Sequence, residues 1–240
     1  MMMTNEPIPR PYRTPLRVLI AVALALGGCD APDGKENRST EVPTPAATLQ
    51  TATFDQQVAE VQNGRSTAIN ADESTLKNAK LQTLGTLTTL TRLELPHAAI
   101  DDAAAKHIAS LANLEVLVLG ETTIGNAGWR RLTSLTKLKR LNVAKCEIDD
   151  EALCGISSLA DLELLRVGSS RLTNVGLAEI AKLPKLRHLI IRFAPITDAG
   201  LKPLADLKGL ESLYLEGTNV TEAGERELLR ARPDLHIHFP

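Results

Sequence analysis

From Leu90 the chain repeats itself every 24 residues without a gap, and this restricts its fold more than any other feature. Rows begin at Leu90, Leu114, Leu138, Leu162, Leu186 and Leu210. With each row's leucine counted as place 1, place 4 holds Leu93, Leu117, Leu141, Leu165, Leu189 and Leu213, and place 6 holds Leu95, Leu119, Val143, Val167, Ile191 and Leu215. Apolar residues at every second position predict a short strand with one buried face. Place 11 (Ile100, Ile124, Ile148, Leu172, Ile196, Val220) turns the chain back into the core. Places 12 and 13 then carry Asp, Asn, Thr, Gly or Glu, and most of these are short acceptors suited to the free N–H groups of a starting helix. Place 15 is always Gly or Ala, which predicts a helix start pressed against the strand layer. Places 16, 19 and 22, such as Leu177, Ile180 and Leu183, supply the buried stripe of a short helix. Pro203 falls within one of these helices and lacks a donor, so regular turns are expected to begin near Gly200 there.

A single strand, turn and helix cannot bury its own apolar edges, but a stack of such units can. Strands side by side repeat at ~4.8 Å while packed helices need about 10 Å, so the stack is expected to bend with the strands inside. The predicted fold class is therefore an α/β solenoid of horseshoe form, with parallel strands on the concave face and short helices on the convex one.

The pattern LxxLxLxxxxIxxxxxxxLxxLxx resembles the leucine-rich repeat family over roughly residues 66 to 239. Its "ITDAGL" segment looks like the repeats of the ribonuclease-inhibitor-like and F-box-associated branches and of many bacterial lipoproteins. The commonest form of the family carries an Asn ladder at place 9, where this chain has Ala98, Thr122, Cys146, Ser170, Ala194 and Thr218. Residues 66–89 read as a worn first row, with Ile69, Leu76, Leu81, Leu84 and Leu87 on pattern, and Ile237 and Phe239 as places 4 and 6 of a last strand.

Ahead of the repeats, Arg10, Arg13 and Arg17 precede an apolar run from Val18 to Leu26 and then Gly27, Gly28 and Cys29. The run is too short for a hydrocarbon core, which needs about 20 residues, so it reads as an export signal. The box Leu26-Gly27-Gly28-Cys29 resembles that of bacterial lipoproteins, which implies a lipid on Cys29 and cleavage just before it. The expected organisation is a signal peptide over 1–28, a polar tether over 29–52, a capping helix over 53–65 and the repeat domain over 66–240. Phe54, Val58 and Val61 carry the helical spacing of the cap. The implied location is the bacterial cell envelope, tethered to a membrane.

Little in the chain suggests catalysis. The formal net charge is −2 and aromatics make up 2% of residues, which excludes a nucleic-acid partner of the usual basic, base-stacking kind. Cys146 occupies the small place 9 and Cys154 the helix of the same row, on different layers, so no disulfide is expected between them. Trp129 holds place 16, a core column. His236 and His238 alternate on one face of the last strand without further ligands at zinc-like spacing, so they read as a solvated strand end. No phosphate-cradling loop or Ser–His–acid set is brought together by the repeat, and the chain is expected to be a non-enzyme with no cofactor and no metal.

What remains is the strand face toward the hollow. Leu164, Arg166, His188, Ile190, Phe193 and Tyr214 fall on three adjacent rows and should form one patch, with Arg140 at its edge. Apolar groups rimmed by Arg and His fit a protein-binding surface. The expected function is a monomeric, membrane-anchored module that binds a protein or peptide in its concave groove. The alternatives are recognition of cell-wall carbohydrate, which the scarcity of aromatics disfavours, and a ubiquitin-ligase substrate receptor by analogy with the F-box-associated branch.

Overall fold

The computed structural model describes residues 52–71, 76, 78–144 and 146–238. The lipoprotein-like box, Cys29, nearly all of the tether and Phe239 lie outside the described residues. Eight strands form one parallel sheet in chain order: β1 (Ala68–Asn70), β2 (Arg92–Leu95), β3 (Val116–Leu119), β4 (Arg140–Val143), β5 (Leu164–Gly168), β6 (His188–Arg192), β7 (Ser212–Glu216) and β8 (His236–His238). Every pairing joins a residue to the one 24 positions on, as in Leu165↔Leu189 and Leu189↔Leu213. Between strands run α1 (Phe54–Gln62, before β1), α2 (Asn78–Leu81), α3 (Asp102–Ile108), α4 (Asn126–Leu132), α5 (Asn174–Ile180), α6 (Asp198–Leu201) and α7 (Glu222–Ala231). The period-2 leucines and the helix stripes meet in one continuous core, where Leu117, Leu165, Leu189, Leu177 and Ile180 are fully buried.

Both ends of the stack are closed by a buried polar side chain. Helix α1 starts in a capping box between Thr53 and Gln56. Its Gln57 is fully buried. The Gln57 amide donates to Asn70 O at 2.7 Å and its oxygen accepts from Asn70 N at 2.7 Å, so β1's outer edge is hydrogen-bonded. At the far end the buried Arg232 guanidinium donates to Leu207 O, to Leu210 O at 2.7 Å and to Asp234. Leu207 O also accepts from Leu210 N at 3.0 Å, so the guanidinium adds to the hydrogen bonding of this last turn.

Between rows, the polar seam runs along place 13, with place 9 contributing the bond from Thr122 to Cys146. Asp102 Oδ1 accepts from Gly125 N (2.7 Å), Asp150 Oδ1 from Thr173 N (2.8 Å) and Gly176 N (3.0 Å), Asn174 Oδ1 from Thr197 N (3.0 Å), and Asp198 Oδ1 from Thr221 N (2.7 Å). Place 12 caps its own helix, as Asp101 and Thr173 do. Place 13 reaches forward to the next row. This corrects the expected reason for the small place 15. A Cβ at Gly128, Gly176, Gly200 or Gly224 would stand 2.3–2.5 Å from an oxygen of Asp102, Asp150, Asn174 or Asp198. The neighbouring row's capping group fills that space together with the row's own place 11 side chain, Ile124 beside Gly128, Leu172 beside Gly176 and Ile196 beside Gly200.

Two rows depart from the expected helix. In the row of Pro203, α6 begins at Asp198, two residues before Gly200, and passes into a 3-10 turn over Lys202–Asp206, because the proline has no N–H for the α ladder. The row of Leu138 has no α-helix, so the helix expected around Cys154 is replaced by turns ending in a 3-10 segment, Ile156–Ser158. Two local causes coincide there. Asn126 turns its amide to Glu151 Oε2 (2.9 Å) and Asp149 Oδ2 (3.4 Å). Gly155, at φ +90, ends the winding after about one turn. A cavity of about 20 Å³ lies beneath, lined by Trp129, Leu132, Leu138, Leu141, Ala152 and Ile156. Trp129 is buried as its column requires, but its Nε1 is buried with no hydrogen-bond partner.

Candidate functional site

Places 3 and 5 of each strand point away from the helices, and their lateral order follows from the register. Arg166, Ile190 and Tyr214 are direct partners across β5, β6 and β7, and Tyr214 pairs onward with His238 of β8. Arg140, Leu164, His188, Ser212 and His236 form the parallel column beside them. The patch expected from the sequence is therefore contiguous, but its exposure is uneven. Leu164 (8%), Arg166 (7%) and Ile190 (4%) are buried, so they are not the open surface the sequence suggested, although Leu164 and Ile190 stand apart from the continuous core. A side chain flanked on both sides by ladder neighbours is shielded in a way that alternation along one strand does not reveal. His188 and Tyr214 are partly exposed, and Arg140, His236 and His238 are exposed.

Phe193 is the outlier. It is 63% exposed and adopts φ +54, the left-handed region that costs a bulky residue on the order of 1–2 kcal/mol, a conformation that Glu121 (φ +53) shares at the same place 8 of its own row. Its row neighbour Gly217, at φ +64, occupies the same place 8, and a Cβ there would stand 2.7 Å from Phe193 Cδ1. Glycine leaves a seat on which the ring rests. The backbone is pinned by Phe193 N donating to Glu216 O (2.8 Å) and by the ion pair between Arg192 and Glu216. The sequence held a signal for this seat, a Phe and a Gly in one column of adjacent rows, but not for the backbone twist.

Tyr214 stacks on His238, with ring centroids 4.0 Å apart and planes 6° from parallel. The terminal histidines are thus joined to the patch and do not form a separate strand end. Burial pushes the Tyr214 hydroxyl up and the His188 imidazole down from their ordinary values. Partial burial, with His236 beside it, also lowers His238. His188 Nδ1 is buried without a hydrogen-bond partner. Cys146 is buried, and burial raises its thiol; its Sγ accepts from Thr122 Oγ1 at 3.4 Å. Cys154 is a free, exposed thiol on the helix side. Among the described residues, no group of three or more His, Cys, Asp and Glu could hold a metal ion, and no helix is long and apolar enough to cross a membrane.

The family model "Leucine Rich repeat" matches residues 134–157 and 182–205. Among curated proteins, none matches the chain. Two solved structures are similar in fold. An internalin of Listeria monocytogenes superposes with a TM-score of 0.54 at 20% identity, covering 76% of this chain and 59% of its own. A leucine-rich repeat protein of Leptospira interrogans does so with a TM-score of 0.52 at 17% identity, covering 76% of this chain and 51% of its own. The chain thus spans between half and three fifths of the length of either. With a parallel sheet in strict 24-residue register, helices along one side and two rows that match the family's sequence model, the chain has the fold of a leucine-rich repeat solenoid.

Proposed function

We propose that this chain is an exported, lipid-anchored binding protein of the bacterial envelope. In this reading it holds a protein or peptide partner on the helix-free face of β5–β8. The observation that carries the reading is Phe193. A large apolar side chain is kept mostly in solvent, with its ring against a glycine whose missing Cβ leaves room for it. The left-handed backbone recurs in this column, at Glu121 and Gly217, so what is particular to this row is the exposed aromatic ring placed on it. Tyr214, His188 and Arg166 lie on the same and the adjoining strands, and aromatic and Arg side chains dominate interface energies. The leucine-rich repeat fold itself is a protein-binding scaffold, which makes a non-enzymatic role the natural one.

The test is capture from cell envelopes by the wild type, by Phe193→Ala with Tyr214→Ala, and by a helix-side control, Lys182→Ala. Lys182 makes only an exposed ion pair with Glu179 and should be neutral. Loss of the partner in the double variant, with unchanged melting, is the expected result. Loss in the control alone would place binding on the helix side. Anchoring is tested separately: labelled fatty acid should enter the wild type and not Cys29→Ala.

A further inference from the structure

The helix-free face changes character halfway along the sheet. On β4–β8, places 3 and 5 carry Arg140, Arg166, His188, His236 and His238 and not one Asp or Glu, in a chain whose formal net charge is −2. The nearest acids are already engaged at the strand ends. Glu115 pairs with Lys139, Glu211 with Arg187 and Glu216 with Arg192. Glu163 is the exception: it is joined to Lys139 and Arg187 by backbone hydrogen bonds, and its carboxylate charge acts on the neighbouring His188. The face around Tyr214 and Phe193 therefore carries two permanent cations, Arg140 and the buried Arg166, and three imidazoles, with apolar groups between them.

Resting on the protein-binding reading above, we propose that the occupant is an acidic peptide segment of a partner protein, laid across β4–β8. Its carboxylates would meet Arg140, His188, His236 and His238, and an apolar side chain would lie against Tyr214 and Phe193. Four strand spacings of ~4.8 Å make about 19 Å, the reach of roughly six extended residues at ~3.3 Å each. Only Arg140 and Arg166 are permanent cations, and Leu164, the ladder partner of Arg140, lies two residues before Arg166 on β5. That spacing suits carboxylates alternating with apolar side chains better than the dense charge of a polyphosphate, which calls for contiguous Lys and Arg.

The histidines add a pH dependence whose direction follows from their surroundings. His188 faces Arg140, Arg187, Glu163 and Glu211. His238 faces His236 and the ring of Tyr214, and His236 faces Ser212 and His238. Burial makes both His188 and His238 harder to protonate than a free imidazole. A bound carboxylate raises the affinity of each imidazole for a proton. Binding must then strengthen as pH falls through roughly 7 to 5 and weaken as it rises.

The test uses the full chain and labelled peptides of about eight residues, long enough to cover the span estimated above. One alternates Glu with Leu, a second alternates Gln with Leu, and inorganic polyphosphate serves as a third probe. The Glu peptide should bind at least about tenfold more tightly than the Gln peptide, lose that advantage at high salt, and tighten between about pH 7.5 and 5.5. Arg140→Glu with His236→Glu should abolish the preference, while Lys182→Glu on the helix side leaves it intact. Equal binding of the Gln peptide, still sensitive to Phe193→Ala, would overturn the acidic chemistry and leave the protein-binding reading standing. Tighter binding of polyphosphate, or no binding of the Glu peptide to folded protein, would overturn the proposal. Failure of the protein-binding reading would show differently, as an envelope partner captured unchanged by the Phe193 and Tyr214 variant.

Discussion

At Gly200 a Cβ would stand 2.3 Å from Asn174 Oδ1 and 2.9 Å from Asn174 Cγ, so one row's side chain fills the space that the next row leaves. Gly200→Ala should therefore cost about 1–3 kcal/mol by overpacking. Asn174→Ala should cost about 1–3 kcal/mol by leaving Thr197 N without its acceptor. The double variant should cost less than the sum, since removing Asn174 opens the room the new methyl needs; urea denaturation of the four proteins measures this coupling. Phe193→Gly should melt no lower than the wild type, because glycine accepts φ +54 freely and little of the ring is buried. At the far end, the hydrogen bond from Arg232 holds the Asp234 carboxyl at about 2, below the ordinary carboxylate range. A lowered folded-state value stabilises the protein above about pH 4 and is lost as pH falls towards 2. Asp234→Asn should thus be less stable than the wild type at neutral pH and converge with it in acid, as equilibrium unfolding at a series of pH values would show. The smallness of place 15 was legible from the column alone. Its cause was not, because the atom that fills the space belongs to a residue 26 positions earlier, and a periodic alignment does not say which columns touch.

Among the elements, the row of Leu138 is the irregular one. After β4 it has only turns and a 3-10 segment, and a cavity of about 20 Å³ under Trp129. Short 3-10 pieces make poorer hydrogen bonds than α-helix. Amides of residues 151–155 should exchange with solvent faster than those of α4 and α5, on either side, and hydrogen exchange followed by mass spectrometry would show the contrast. Trp129→Ala should cost about 3–5 kcal/mol, and the loss should appear as faster exchange in this row and its two neighbours. The sequence places a helix here because Leu153 and Ile156 continue the apolar stripe. What overrides the stripe is the reorientation of Asn126 and a left-handed Gly155, neither visible in a pattern of apolar positions.

For the whole molecule, the 24-residue period read from leucines alone reproduces the register of every strand pair, since a slip of one residue would turn each core side chain to the opposite face. The patch on the helix-free face was legible as a set of neighbours and not as a surface, because exposure depends on flanking ladder residues as well as on the direction a side chain points. The forward reach of place 13 has a further consequence for how the chain comes into being. Asp102, Asp150, Asn174 and Asp198 each hold the turn of the row that follows, so the donor of order always lies on the N-terminal side. A polypeptide leaving the ribosome exposes each acceptor before the turn it will hold has been synthesised. Each completed row thus carries, ready-made, the group that holds the turn of the row after it.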